Sequence, residues 1–182
     1  PGQKTHGLVI HDWPSMIGID ERVRYVGDAV AIVAAENREI ALQALDLIEA
    51  EYELLEPIIS PVQARSQDAP HLHEKGNLLK HIKVRKGDMD AGFAEADLVL
   101  EHIYHTATTD HAFLEPECSI ARPTPEGRME IYVGSQIPYA DRNQVALALG
   151  WEEKRVRVIG QLMGGGFGGK EDIAGQIHAA LL

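Results

Sequence analysis

The stretch Gln161-Leu162-Met163-Gly164-Gly165-Gly166-Phe167-Gly168-Gly169-Lys170-Glu171 decides how the rest of the chain is read. It follows a predicted strand, Arg155–Ile159, and precedes a helix predicted from about Asp172. Its glycines can adopt conformations closed to other residues and let a ligand come close to the main chain. N–H groups near a helix start suit an anion. The plain alternative is a tight strand-to-helix turn with no ligand. Gly164 to Lys170 fits the P-loop pattern G-x-x-x-x-G-K, but Glu171 stands where that motif needs Ser or Thr, and its carboxylate would repel phosphates. The same residues satisfy G-x-G-x-x-G, a weak pattern in any glycine-rich run, and a dinucleotide fold also requires a leading strand–helix–strand unit and a later acidic residue. Phe167 has two readings, an anchor packed into the core or a wall beside a ligand. The loop by itself favours the anchor.

Working outward, residues 117–122 and 128–135 read as two strands around a Pro-Glu-Gly turn at 125–127. A helix is predicted between Pro138, suited to a first turn, and Gly150, suited to the position just past the end. Farther upstream, 22–35 reads as two strands broken at Gly27-Asp28. Asn37 is a candidate N-cap for a helix reaching about Glu51, followed by a short strand near Tyr52. Leu78–Arg85 and Asp97–Ala107 read as strands, and Asp88 as the cap of a short helix, Met89–Ala96. The fold class is α+β. There is no internal repeat and no low-complexity tract.

Composition narrows the function. The chain has 182 residues, 45% of them hydrophobic, with 17 basic and 28 acidic side chains and a net charge of -11. That field opposes a nucleic-acid surface, so any anionic ligand must be held locally by backbone N–H groups. No apolar run approaches the roughly 18 residues of a membrane span. Cys118 is the single cysteine. It excludes an internal disulfide, and a cluster or zinc site built from several thiolates of this chain. One free thiol fits a cytoplasmic setting. The start at Pro1-Gly2 and the apolar end at His178–Leu182 predict a piece of a longer polypeptide.

Four ordered segments carry a family resemblance. Met163–Glu171, MGGGFGGKE, resembles the signature of the molybdenum hydroxylases, the xanthine dehydrogenase and aldehyde oxidase family. Val26–Ala31, VGDAVA, with the alanine-rich helix and Tyr52-Glu53 after it, resembles that family's α/β hammerhead domain. Asp110–Pro116, DHAFLEP, resembles the entry into its molybdenum domain, and Gly134-Ser135-Gln136 its S-x-Q segment. The resemblance implies a hammerhead domain over 1–65 with its start missing, a connecting segment over 66–90, and the beginning of a molybdopterin-binding domain over 91–182.

It also implies a chemistry: hydroxylation of an electron-poor carbon with oxygen from water, at a molybdopterin centre that bacteria usually carry in its cytosine dinucleotide form. Two [2Fe–2S] clusters and FAD are then expected on other domains or partner subunits. By resemblance, Gln136 donates a side-chain N–H toward molybdenum, Phe167 and Gly168 bring backbone N–H groups and the ring against the centre, and Gly165 and Gly166 line the cofactor. Glu171 matches the substrate-binding glutamate of purine-oxidising members, where a carboxylate stabilises charge developing on a heterocycle. This leans toward purines; an aldehyde or nicotinate hydroxylase is the alternative within the family, and a non-catalytic structural module the alternative outside it. The plain reading of Glu171 is a favourable charge at a helix start, and that of Gln136 a polar residue facing water. The family's general base, a glutamate, falls beyond Leu182, as do the pocket arginine and second aromatic. No residue here is then a direct metal ligand, and the chain alone is expected to be inactive.

Other candidates read more simply. His71 and His73 could share a strand face as ligands, but no third ligand is near, and a loop surface is expected. His102, Tyr104 and His105 should divide between two strand faces. His111 is as suited to packing as to supporting a site. Cys118 is expected as a buried strand residue.

Overall fold

The computed structural model describes residues 2–173 and 175–182. The chain divides into two compact units, residues 1–54 with 111–182, and residues 55–110. Helices and sheets of both senses make it α+β.

The larger unit is organised by a three-stranded sheet with order β3-β4-β5. Strand β3 is Ser119–Pro123, β4 is Met129–Val133 and β5 is Val156–Gly160. β3 and β4 are antiparallel, with Ser119 opposite Val133 and Pro123 opposite Met129. Gly127 closes their turn at φ +75°, its N–H donating to the Thr124 carbonyl at 3.0 Å. β4 and β5 are parallel, from Met129 opposite Val156 to Val133 opposite Gly160. A parallel pair needs a crossover, here helix α4, Pro138–Leu149. Proline occupies its first turn and Gly150, left-handed at φ +67°, ends it, as the sequence predicts.

Side-chain alternation along β4 sends Met129, Ile131 and Val133 inward. They meet Val145, Ala148 and Leu149 of α4, Val156 of β5, and Ile177 and Ala180 of the final helix α5, Gln176–Leu181. That helix starts at Gln176, four residues later than expected, after Gly175. A two-residue antiparallel pair, β1 Thr5–His6 and β2 Trp13–Pro14, belongs to the same unit. His178 reaches the Ser15 carbonyl at 2.6 Å. The predicted Asn37 cap is present, accepting from the Ile40 N–H at 2.9 Å. Its helix α1 is Arg38–Leu45, shorter than expected because Asp46 ends it and the chain then leaves helical geometry.

Strands predicted at 22–35, near Tyr52, at 78–85 and at 97–107 do not form. The residues have strand propensity, but among the described residues no neighbouring backbone completes a ladder with them. In the smaller unit, the described elements are α2 Pro61–Ala64 and α3 Met89–Glu95, the latter capped by Asp88 as predicted. No residue of 55–110 is buried. Asn77 ties its loop together, accepting from the Leu72 N–H at 2.7 Å and donating to the Ala64 and Pro70 carbonyls at 3.0 Å.

Candidate functional site

Strand polarity gathers the site. The carboxyl ends of parallel β4 and β5 lie at one sheet edge, and antiparallel β3 begins there. Three segments therefore meet: residues 111–118 before β3, 134–137 after β4 and 161–171 after β5. The Gln161 N–H extends the ladder to the Val133 carbonyl at 3.0 Å.

Gln136 is the hub. Its backbone N–H donates to the Lys170 carbonyl at 3.0 Å. Its Oε1 accepts the N–H groups of Gly168 at 3.0 Å and Lys170 at 3.3 Å. With the carbonyl oxygen so fixed, the amide nitrogen has one direction. Nε2 donates to Glu171 Oε1 at 3.4 Å, leaving a second N–H. Gln136 and Glu171, 35 residues apart, are thus neighbours. A Cβ at position 166 would overlap Gln136 Oε1, so only glycine admits this approach.

Phe167 overturns the anchor reading. It is 77% exposed, and its φ is +53°. A non-glycine residue in that region costs about 1–3 kcal/mol. Gly168 follows at φ +94°. Its N–H donates to Gln136 Oε1, so the donor expected to face the metal centre is engaged within the protein. Among the described residues, the N–H groups of Gly165, Gly166 and Phe167 donate to no protein acceptor.

Lys170 is turned inward, its side chain 3% exposed. Nζ lies 2.8 Å from Glu115 Oε2 and 4.9 Å from the centre of the Phe113 ring. Glu115 Oε2 also accepts the Gly164 N–H. The Lys170 ammonium and the Gly164 N–H hold the Glu115 carboxyl below the usual range. A lysine so engaged does not cradle phosphates, which removes the P-loop reading. The sequence places Glu115 and Lys170 in family-like segments and weighs Lys170 as a P-loop lysine, but gives no sign that the two meet.

Asp141, in the first turns of α4, is fully buried, and among the described residues neither carboxylate oxygen has a hydrogen-bond partner. Burial pushes its carboxyl above the usual range; the Ser135 hydroxyl and Gln176 amide, outside hydrogen-bond geometry, oppose this. Nothing in the sequence singles this residue out.

The His111 ring lies beside Gly168 and Gly169. Cys118 is exposed, one residue before β3 begins, so it takes no part in the inward alternation expected of it. It borders a cavity of about 320 Å³ with Ser119, Gly134, Lys170, Asp172 and Gln176. His71 and His73 lie outside any helix or strand. His102 and Tyr104 meet edge to face at 6.0 Å, and with no strand there they define no faces. Among the described residues no group of three or more His, Cys, Asp or Glu could hold a metal ion. None of their helices is long and apolar enough to cross a membrane.

A glycine loop folded onto an amide thus lies at the carboxyl ends of the parallel strands of a small mixed sheet in an α+β chain. Residues 71–182 match the family described as the molybdopterin cofactor-binding domain. Residues 1–56 match the aldehyde oxidase and xanthine dehydrogenase a/b hammerhead domain. The chain belongs to this molybdenum hydroxylase family. It is 42% identical over 182 residues to a probable xanthine dehydrogenase subunit of Bacillus subtilis (strain 168), covering all of this chain and 24% of that protein. It is 40% identical over 184 residues to the nicotinate dehydrogenase large molybdopterin subunit of Eubacterium barkeri, covering all of this chain and 42% of that one. Identity to the xanthine dehydrogenase/oxidase of Gallus gallus is 35% over 173 residues, 94% of this chain and 12% of the other. The chain thus spans less than half the length of these relatives. The site's chemistry suits an anionic cofactor: three N–H groups without a protein acceptor among the described residues, beside an exposed aromatic ring.

Proposed function

We propose that the full-length protein hydroxylates a purine or related N-heterocycle with water-derived oxygen, and that this chain supplies part of the surface holding its molybdopterin. The observation that carries the reading is the Gln136 amide, oriented by the N–H groups of Gly168 and Lys170 and joined to Glu171. It sets a group suited to the cofactor beside one suited to the substrate. Molybdopterin, when bound, supplies a molybdenum centre that accepts the two electrons leaving the substrate carbon. Gln136 offers its second Nε2–H. Gly165, Gly166 and Phe167 offer backbone N–H groups, Gly168 close approach, and Phe167 a ring face. Glu171 accepts a hydrogen bond from a heterocycle N–H and so orients the ring.

The reading includes the cytosine dinucleotide form of the cofactor, [2Fe–2S] clusters and FAD on other domains or subunits, a general base beyond Leu182, and a cytoplasmic location. It divides the chain into a hammerhead domain to about residue 65 and a cofactor domain from about 91. The nicotinate dehydrogenase similarity, at 40% identity, favours nicotinate as the second substrate reading.

The test uses the full-length protein with its partner subunits. Molybdenum content is assayed alongside dye reduction driven by xanthine, hypoxanthine or nicotinate. Molybdenum with purine turnover is expected, together with a drop in purine kcat/KM of about 10²-fold in Glu171→Ala. Turnover of nicotinate alone moves the substrate. Absence of molybdenum, from cells that make the cofactor, leaves a structural module.

A further inference from the structure

We infer that Glu115 and Lys170 form a lock that holds the glycine-rich loop in the shape presenting its free N–H groups, which makes both of them positioning residues. One carboxylate oxygen closes the loop from both ends. Glu115 Oε2 accepts the N–H of Gly164 at its start and meets the ammonium of Lys170 at its end, at 2.8 Å. The Phe113 ring walls that ammonium, 4.9 Å away. Inside the closure, Gln136 takes the N–H groups of Gly168 and Lys170, and the Gly166 carbonyl takes that of Gly169 at 2.7 Å. Among the described residues, the N–H groups of Gly165, Gly166 and Phe167 remain without a protein acceptor. The loop's sole cation is thus spent on closure, and anion binding falls to the main chain.

The two partners are unequally buried, and that gives the lock a signature. Lys170 is enclosed, whereas the Glu115 side chain is 32% exposed. Removing the carboxylate strands a buried ammonium. Removing the ammonium leaves a carboxylate that water can reach. Removing both charges leaves neither penalty. Glu115→Gln should therefore disturb the loop more than Lys170→Met, and the double variant should repair much of the Glu115→Gln defect. A role in mere bulk packing predicts the reverse, with the double variant worst.

The inference rests on the proposed function only for what the loop binds, and the experiment separates the two. The full-length protein with its subunits is prepared from a cofactor-competent host and from one unable to make molybdopterin. Amide hydrogen exchange is read at residues 164–171, with Ile131 in β4 as the control for folding. In the cofactor-free protein, Glu115→Gln is expected to speed exchange at Gly164, Gly168 and Lys170 about tenfold or more, and the double variant to return within about threefold of the parent. In the cofactor-competent host, molybdenum content should follow the same order. Exchange in Glu115→Gln within about twofold of the parent overturns the lock, as does a double variant no better than Glu115→Gln. If Glu115→Gln also loses protection at Ile131, Lys170→Met and the double variant decide: the lock requires the double to match or exceed the protection of Lys170→Met, and a further loss overturns it. A parent without molybdenum sinks the proposed function while the cofactor-free exchange still judges the lock.

Discussion

Strand β4 and the segment 97–107 carry similar runs of apolar and β-branched residues, yet Ile131 in the first is fully buried and Ile103 in the second is 87% exposed. β4 has a neighbour on each side, β3 and β5, and two helices, α4 and α5, that close over its apolar residues. Among the described residues, 97–107 has no sheet partner and buries none of its side chains. Strand propensity expresses fit to a half-buried pleated surface, and the surface must be supplied by something else. The sequence 119–182 brings its own supply: a tight turn, a crossover helix and a return strand.

The contrast can be broken in four ways. Hydrogen exchange on the 182-residue chain should show the Ile131 amide protected on the order of 10³-fold more than amides of 97–107. Comparable protection in both segments would mean that 97–107 pairs after all. Next, Ile131→Ala should cost about 2–5 kcal/mol in urea unfolding followed by tryptophan fluorescence. A smaller loss would show that the core around β4 relaxes to fill the gap. Asp141→Asn should stabilise the fold by about 1 kcal/mol at pH 7, because burial opposes the ionisation that the unfolded chain allows at Asp141. The sign follows from burial. The folded state holds the Asp141 proton more tightly than the unfolded state does, so its stability is greatest below the ordinary aspartate range and falls as pH rises through the raised value. The gap between variant and parent should accordingly close below about pH 4. A gap that persists there would point to packing and not charge. Smallest of all, Ile103→Ala in the same chain should change stability by less than about 0.5 kcal/mol.

The same contrast explains what is legible beforehand. The helix between Pro138 and Gly150, the caps at Asn37 and Asp88, and the turn at 125–127 are local devices, fixed by residues a few positions apart, and they form as the sequence predicts. The strands at 22–35 and 97–107 depend on partners that no local pattern specifies. The site shows the same division. The glycine loop, Gln136 and Glu171 are visible as motifs. That Gln136 and Glu171 touch, that Glu115 closes the loop on Lys170 and that Asp141 is buried all follow from the sheet's topology, which brings together residues 35 and 49 apart. The loop alone misplaces Phe167 because a left-handed phenylalanine violates local preference, and local preference is all that a loop sequence offers.

The crossover from β4 through α4 to β5 also sets where the chain can tolerate insertion. Gln136 and Gly168 are brought within 3.0 Å by one helix whose two ends are pinned by Pro138 and Gly150. A residue added inside α4 would rotate everything after it by about 100° and turn Val145 and Leu149 away from the sheet. A residue added at 150–155, in the turn after the helix, could be absorbed as a wider bend before β5 begins. Length variation among natural versions of this segment should therefore collect at that turn, leaving the helix constant and the two halves of the site in step.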